Sequence, residues 1–172
     1  MKFVAASLPL LFVSILATSI DESNLRGSDI HNRELAYAER KQGWLAAHNS
    51  RREKYHIESG GKYSPIAWSN ALKREAAKLA KSMSINQCTL EMPQNMVNGF
   101  NLSARKGYPR VPTTEWVVKQ WESDIDDESK NGSIRQVLWS ATGYVGCADS
   151  YNNEEKCSVT VCLYAKVSVL LR

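Results

Sequence analysis

Histidine is scarce in this chain of 172 residues: His31, His48 and His56 are the whole set, so nothing beyond residue 56 can offer an imidazole. That removes the usual neutral-pH base and nitrogen ligand from two thirds of the sequence. Ser133 follows a single glycine and lacks the Gly-x-Ser-x-Gly turn that exposes a hydrolase nucleophile. After residue 16 no stretch is long and apolar enough to span a membrane, and there is no internal repeat or low-complexity tract. A large excess of either charge is lacking too: 22 basic against 18 acidic residues give +4, too slight an excess to mark a dedicated nucleic-acid surface. With 43% apolar and 23% charged residues the composition is that of one globular domain, and excludes a long coiled coil, a collagen-like fibre or a wholly disordered chain.

The N-terminus carries the first positive signal. Lys2 precedes an apolar run, Phe3 to Leu16, that ends in Ala17-Thr18-Ser19. Residues 1–19 read as a secretory signal peptide, cut between Ser19 and Ile20. The rival is a membrane anchor, but the run is shorter than the ~20 residues a span needs and is broken by Ser7, Pro9 and Ser14. The mature protein is therefore expected to be extracellular, with no stable membrane span. In an oxidising compartment Cys88, Cys147, Cys157 and Cys162 read as two disulfides, and spacing leaves all three pairings open. Zinc is the rival, but only Cys157 and Cys162 have ligand-like spacing and no histidine follows them. Two sequons, Asn101-Leu-Ser103 and Asn131-Gly-Ser133, add glycosylation at Asn101 and Asn131 as expectations.

Residues 20–33 are polar and read as a mobile tail or pro-segment, with the folded domain over 34–172. Arg40-Lys41 is a dibasic pair that reads either as a processing site or as a solvated helix face. Leu35, Ala38, Trp44, Leu45 and Ala47 predict an amphipathic helix over Glu34 to Tyr55, weakened or bent near Gly43. Ser59-Gly60-Gly61 marks a loop, and Ser69 caps a second helix with the stripe Leu72, Ala76, Leu79, Ala80 and Met83. Asn98 to Pro112 reads as a loop in which Phe100 and Tyr108 sit among Arg105, Lys106 and Arg110. That mixture suits nucleic acid, yet in a secreted chain an ordinary exposed loop is the better reading, and no nucleic-acid partner is expected. A third helix is predicted over Glu115 to Trp121, and strands over Val137–Trp139, Gly143–Cys147 and Ser158–Tyr164. Helices first and strands later predict a layered α/β or α+β domain.

Taken in order, several segments resemble the CAP (SCP) superfamily of cysteine-rich secretory, antigen 5 and pathogenesis-related proteins. They are His48-Asn49-x-x-Arg52; Ile66-x-Trp68-x-x-x-Leu72; Cys88; Asn95-Met96; Val117-x-x-x-Trp121; Gln136-Val137-Leu138-Trp139-x-x-Thr142-x-x-Val145-Gly146-Cys147; and Cys162-Leu163-Tyr164. The resemblance runs from about Trp44 to Tyr164. It implies a disulfide-stabilised, three-layer α-β-α sandwich, and the pairing Cys88 with Cys157 and Cys147 with Cys162.

The resemblance also locates where this chain departs. Many members line a central cleft with two histidines and two acidic residues that in some hold a metal. Here one histidine position falls on Ser133, one glutamate position on Gln94 and the other on Asp124, while the second histidine is deleted with its loop. A hydroxyl and an amide neither titrate near neutrality nor bind metal well, and one carboxylate is too few for zinc or magnesium. No cofactor and no metal-dependent catalysis are expected. The acidic run Asp124, Asp126, Asp127 and Glu128 lacks the glycine and distal glutamate of a calcium loop. The resulting expectation is a secreted binding protein whose degenerate cleft, Gln94, Asp124 and Ser133, faces a lipid or sterol, or whose surface meets an extracellular or cell-surface protein. A secreted hydrolase using that cleft is the alternative.

Overall fold

In the computed structural model, which describes residues 22–91, 93–123, 125–126 and 132–166 with side chains from residue 32 on, the chain divides between Glu34 and Leu35. The signal-peptide reading, Asp124 and Asn131 lie outside the described residues. Before the division, residues 22–34 are wholly helical, where a polar tail was expected from residue 20. They contain no proline to stop a helix, although Gly27 and the Ser, Asp and Asn residues give the segment low helix propensity. The first helix, α1, runs from Glu22 to Glu58. It is continuous through Gly43, whose missing Cβ makes room for the Thr114 hydroxyl.

The apolar stripe of the second helix is buried as its spacing predicts. Ser69 Oγ accepts from the Leu72 backbone N–H to cap α2 (Asn70–Ile85), and Leu72, Ala76, Ala80 and Met83 face inward. The sheet they cover has four strands in the order β1 (Ala67–Trp68), β3 (Thr142–Asn152), β4 (Cys157–Lys166), β2 (Gly99–Lys106). Only the β1–β3 pair is parallel. Alternation along β4 sorts the two cores. Val159, Val161 and Leu163 pack under α2, while Cys162 and Tyr164 face the opposite layer of α1, α3 (Thr114–Glu122) and α4 (Gly132–Leu138). That second core centres on Trp44, stacked on Trp121 with ring centroids 6.3 Å apart. The architecture is the α-β-α sandwich.

The bridges are Cys88–Cys157 and Cys147–Cys162, the pairing the resemblance implied. Cys147 and Cys162 lie directly opposite each other on β3 and β4. The first bridge closes a sequence separation of 69 against 15 for the second, so it constrains the unfolded chain more.

Two sequence-based expectations fail here. Val137 and Leu138 end helix α4 rather than starting a strand. Ile134 and Val137, three apart, are both fully buried, which fits one helix face; so short an apolar run does not distinguish the two periods. The segment expected as a loop from Asn98 contains strand β2, paired with β4 from Gly99 opposite Tyr164 to Lys106 opposite Cys157. Its polar, glycine-flanked sequence has no alternating signal, and its strand state comes from its partner.

Candidate functional site

His48, Asn49 and Arg52 sit on one turn of α1 and fasten it to the rest of the fold. His48 is fully buried; its Nδ1–H donates to the Trp44 carbonyl at 2.8 Å, which leaves Nε2 to accept from the Tyr164 hydroxyl at 2.9 Å. The Tyr164 oxygen accepts in turn from Asn101 Nδ2 at 3.1 Å, and the same amide donates to the Ser133 carbonyl at 2.8 Å. One polar chain thus ties α1, β4, β2 and α4 through the apolar core. Asn49 closes a ring with the Ile66 backbone, accepting from its N–H at 2.8 Å and donating to its carbonyl at 3.2 Å. Arg52 is fully buried and donates to the carbonyls of Ser64, Val137, Trp139 and Thr142.

This network corrects the Asn101 sequon. Asn101 is 3% exposed, and the nitrogen that would carry a glycan is spent on two internal hydrogen bonds. The folded domain does not present it.

Burial lowers the His48 pKa from 6.5 to about 4, helped by the nearby Arg52 charge. Because the folded value lies below the unfolded one, the unfolded chain takes up the proton first as pH falls. Stability is therefore expected to be flat above about pH 7 and to drop by about 3 kcal/mol in all between the two pKa values. Urea midpoints at pH 7 and 5 and the His48 ring resonances in NMR check this. An unchanged midpoint, or an imidazole titrating near 6.5, would refute it.

Of the cleft residues inferred from the resemblance, Asp124 lies outside the described residues. Gln94 is exposed in the turn before β2, and Ser133 is half-buried in the first turn of α4. A large concavity lies beside α4. It has a volume of about 880 Å³, and its walls include His56, Arg135, Gln136, Leu138 and Trp139. A second hollow of about 460 Å³, reaching Gly99 and Tyr164, shares Gln136 and Trp139 with it.

One imidazole, that of His56, stands in the wall of the large hollow. The ring is nevertheless occupied: Nε2–H donates to the Leu138 carbonyl at 2.8 Å, and Nδ1 accepts from the Ser64 backbone N–H at 3.3 Å. Both ring nitrogens are thus engaged by the backbone, which leaves no free donor for a metal. Among the described residues the one His/Cys/Asp/Glu group close enough to share an ion is His48 with Cys147 and Cys162. Its sulfurs are joined in a disulfide and its imidazole is hydrogen-bonded on both sides, so the donor set does not fit a metal.

Sequence reasoning missed Gln136 and Trp139 as cleft walls, although both stand in the quoted Gln136-Val137-Leu138-Trp139 run. The tryptophan at the end of that run was the available signal, and the structure leaves it 46% exposed. It also missed the clamp between α1 and α3, where Arg51 pairs with both Glu115 and Glu122. The Arg51 hydrogen bonds hold the Glu115 carboxyl below its ordinary range.

The profile of the cysteine-rich secretory protein family, CAP, matches residues 45–164, most of the folded part. The chain belongs to the CAP family. A curated relative of this CAP chain is the STS14 protein of Solanum tuberosum, 26% identical over 132 residues. The match covers 72% of the chain and spans 59% of that relative's length. Among solved structures, the Schistosoma mansoni venom allergen-like protein 4 superposes with a TM-score of 0.58 at 19% identity, covering 74% of this chain and 88% of that one. The hookworm platelet inhibitor does so at 0.53 and 16%, covering 74% and 69%. At such identities the likeness is one of fold.

Proposed function

We propose that this CAP domain is an extracellular binding protein that holds a small apolar ligand, of lipid or sterol type, in the hollow beside α4. The observation that carries the reading is Trp139, 46% exposed on the wall of a cavity of about 880 Å³. A broad apolar face beside a cavity of that volume suits a ligand that gains from leaving water. The apolar run at residues 3–16 and the two disulfides support secretion. The hydrolase alternative has less support, because its acidic partner for Ser133, Asp124, lies outside the described residues and no carboxylate lines this hollow.

The test is lipid extraction from oxidised, secreted protein with mass spectrometry, followed by titration with the fluorescent sterol dehydroergosterol and with palmitate. Saturable energy transfer from tryptophan is expected, with Trp139→Ala weakening affinity about tenfold through lost apolar contact. No co-purifying lipid and no saturable transfer would direct the function to a protein partner instead.

A further inference from the structure

We infer that a second, basic cleft in this domain binds an acidic polysaccharide, a sugar chain bearing sulfate or carboxylate groups. The cleft lies beyond the end of β2, has a volume of about 780 Å³, and is lined by Arg40, Arg105, Tyr108, Arg110 and Trp116 with no acidic residue in its walls. It is separate from the hollow beside α4.

The three arginines do different things. Arg40 is part of the frame: it pairs with Asp149 at 2.8 Å, and its Nη1 donates to the Pro112 carbonyl at 2.8 Å. Asp149 is held in place by the Thr160 hydroxyl, which donates to its other oxygen. Arg105 and Arg110 have no carboxylate partner among the described residues. Two positive charges without a carboxylate partner among the described residues therefore line an acid-free hollow.

Arg105 is preorganised as an anion receptor. Its guanidinium is stacked 3.2 Å from the Tyr108 ring centroid and 4.5 Å from that of Trp116. Two aromatic rings against one guanidinium restrict its motion, and its N–H groups suit a bidentate oxyanion. The loop that carries the rest of the cleft is held at both ends. The Tyr151 hydroxyl donates to the Tyr108 carbonyl at 2.7 Å, and Arg40 grips Pro112. Little conformational freedom remains to be lost on binding.

Aromatic faces beside cations also occur in nucleic-acid sites, but here the rings are largely taken. Both give a face to Arg105, and Trp116 packs its remainder against the core around Trp121. Tyr108 alone keeps an exposed face, which is one platform where a single strand needs several. A sugar chain needs no run of stacking platforms. It supplies repeated anionic groups for Arg105 and Arg110, and one apolar ring face for Tyr108.

The experiment titrates the oxidised mature protein with a heparin octasaccharide, an oligogalacturonate and a single-stranded oligonucleotide of matched charge, following tryptophan fluorescence and heat. One-to-one binding of at least one oligosaccharide, tighter than the oligonucleotide, is expected. Arg105→Gln should weaken it about tenfold, the loss of one charge-assisted bidentate contact. Lys78→Gln, a neutralisation on α2 across the sheet, should leave it unchanged. Dehydroergosterol binding should be the same in all these variants, so the two sites fail or succeed separately. Equal weakening by Lys78→Gln would show diffuse charge attraction, tighter oligonucleotide binding a nucleic-acid site, and no binding an empty cleft; each overturns the proposal.

Discussion

Gly146→Ala is expected to abolish the folded state. A Cβ at this point on β3 would stand 2.2 Å from the Lys73 backbone nitrogen and 2.7 Å from the Leu72 carbonyl carbon. These are main-chain atoms in the first turn of α2, so no rotamer change relieves the overlap; the helix must lift from the sheet. Lifting it opens the contacts of Leu72, Ala76 and Ala80 with Val159, Val161 and Leu163, a core in which each residue buries almost all its surface. Overpacking usually costs about 1 to 3 kcal/mol when side chains can adapt. Here the loss of helix docking adds to that, against a typical domain stability of only about 5 to 15 kcal/mol. Gly99→Ala is the control. Its Cβ meets only the end of the Gln136 side chain, which can swing aside. Secreted yield and urea unfolding followed by circular dichroism separate the two, and a Gly146→Ala protein with an unchanged midpoint would show that α2 does not sit this close.

Arg52→Met should cost about 5 kcal/mol, the sum of several carbonyls left without donors in the core. Arg52 donates to Ser64 at 2.7 Å, Val137 at 2.8 Å, Trp139 at 3.0 Å and Thr142 at 3.1 Å, gathering the end of α4, the turn after it and the chain before β1. Methionine keeps much of the volume and none of the donors. Arg52→Lys, one ammonium in place of a planar fork, cannot reach all four carbonyls and should recover only part of the loss. A Met variant as stable as the Lys variant would mean that the stem, and not the guanidinium, holds this corner.

Both predictions rest on residues that stood in the family resemblance as letters of a motif. In the structure they join elements: Gly146 lets α2 touch β3, and Arg52 closes the end of α4. The candidate site follows the same rule. Gln94, Asp124 and Ser133 were chosen by their places in that pattern, yet Gln94 is exposed in a turn and Ser133 engages the core through its carbonyl. Trp139 and His56, which line the large hollow, come from segments 83 residues apart.

What the sequence determined alone is what a short window can encode. Ser69 before the stripe of α2 gave that helix its start and buried face, and the alternation of Val159, Val161 and Leu163 gave β4 its two sides. The order of motifs gave the family and its disulfide pairing. Strand β2, helix α4, the buried Asn101 and the aromatic grip on Arg105 were decided only by the tertiary structure. A polar edge strand acquires its partner, and an amide or guanidinium its environment, from residues distant in the chain, and local periodicity carries no record of those neighbours.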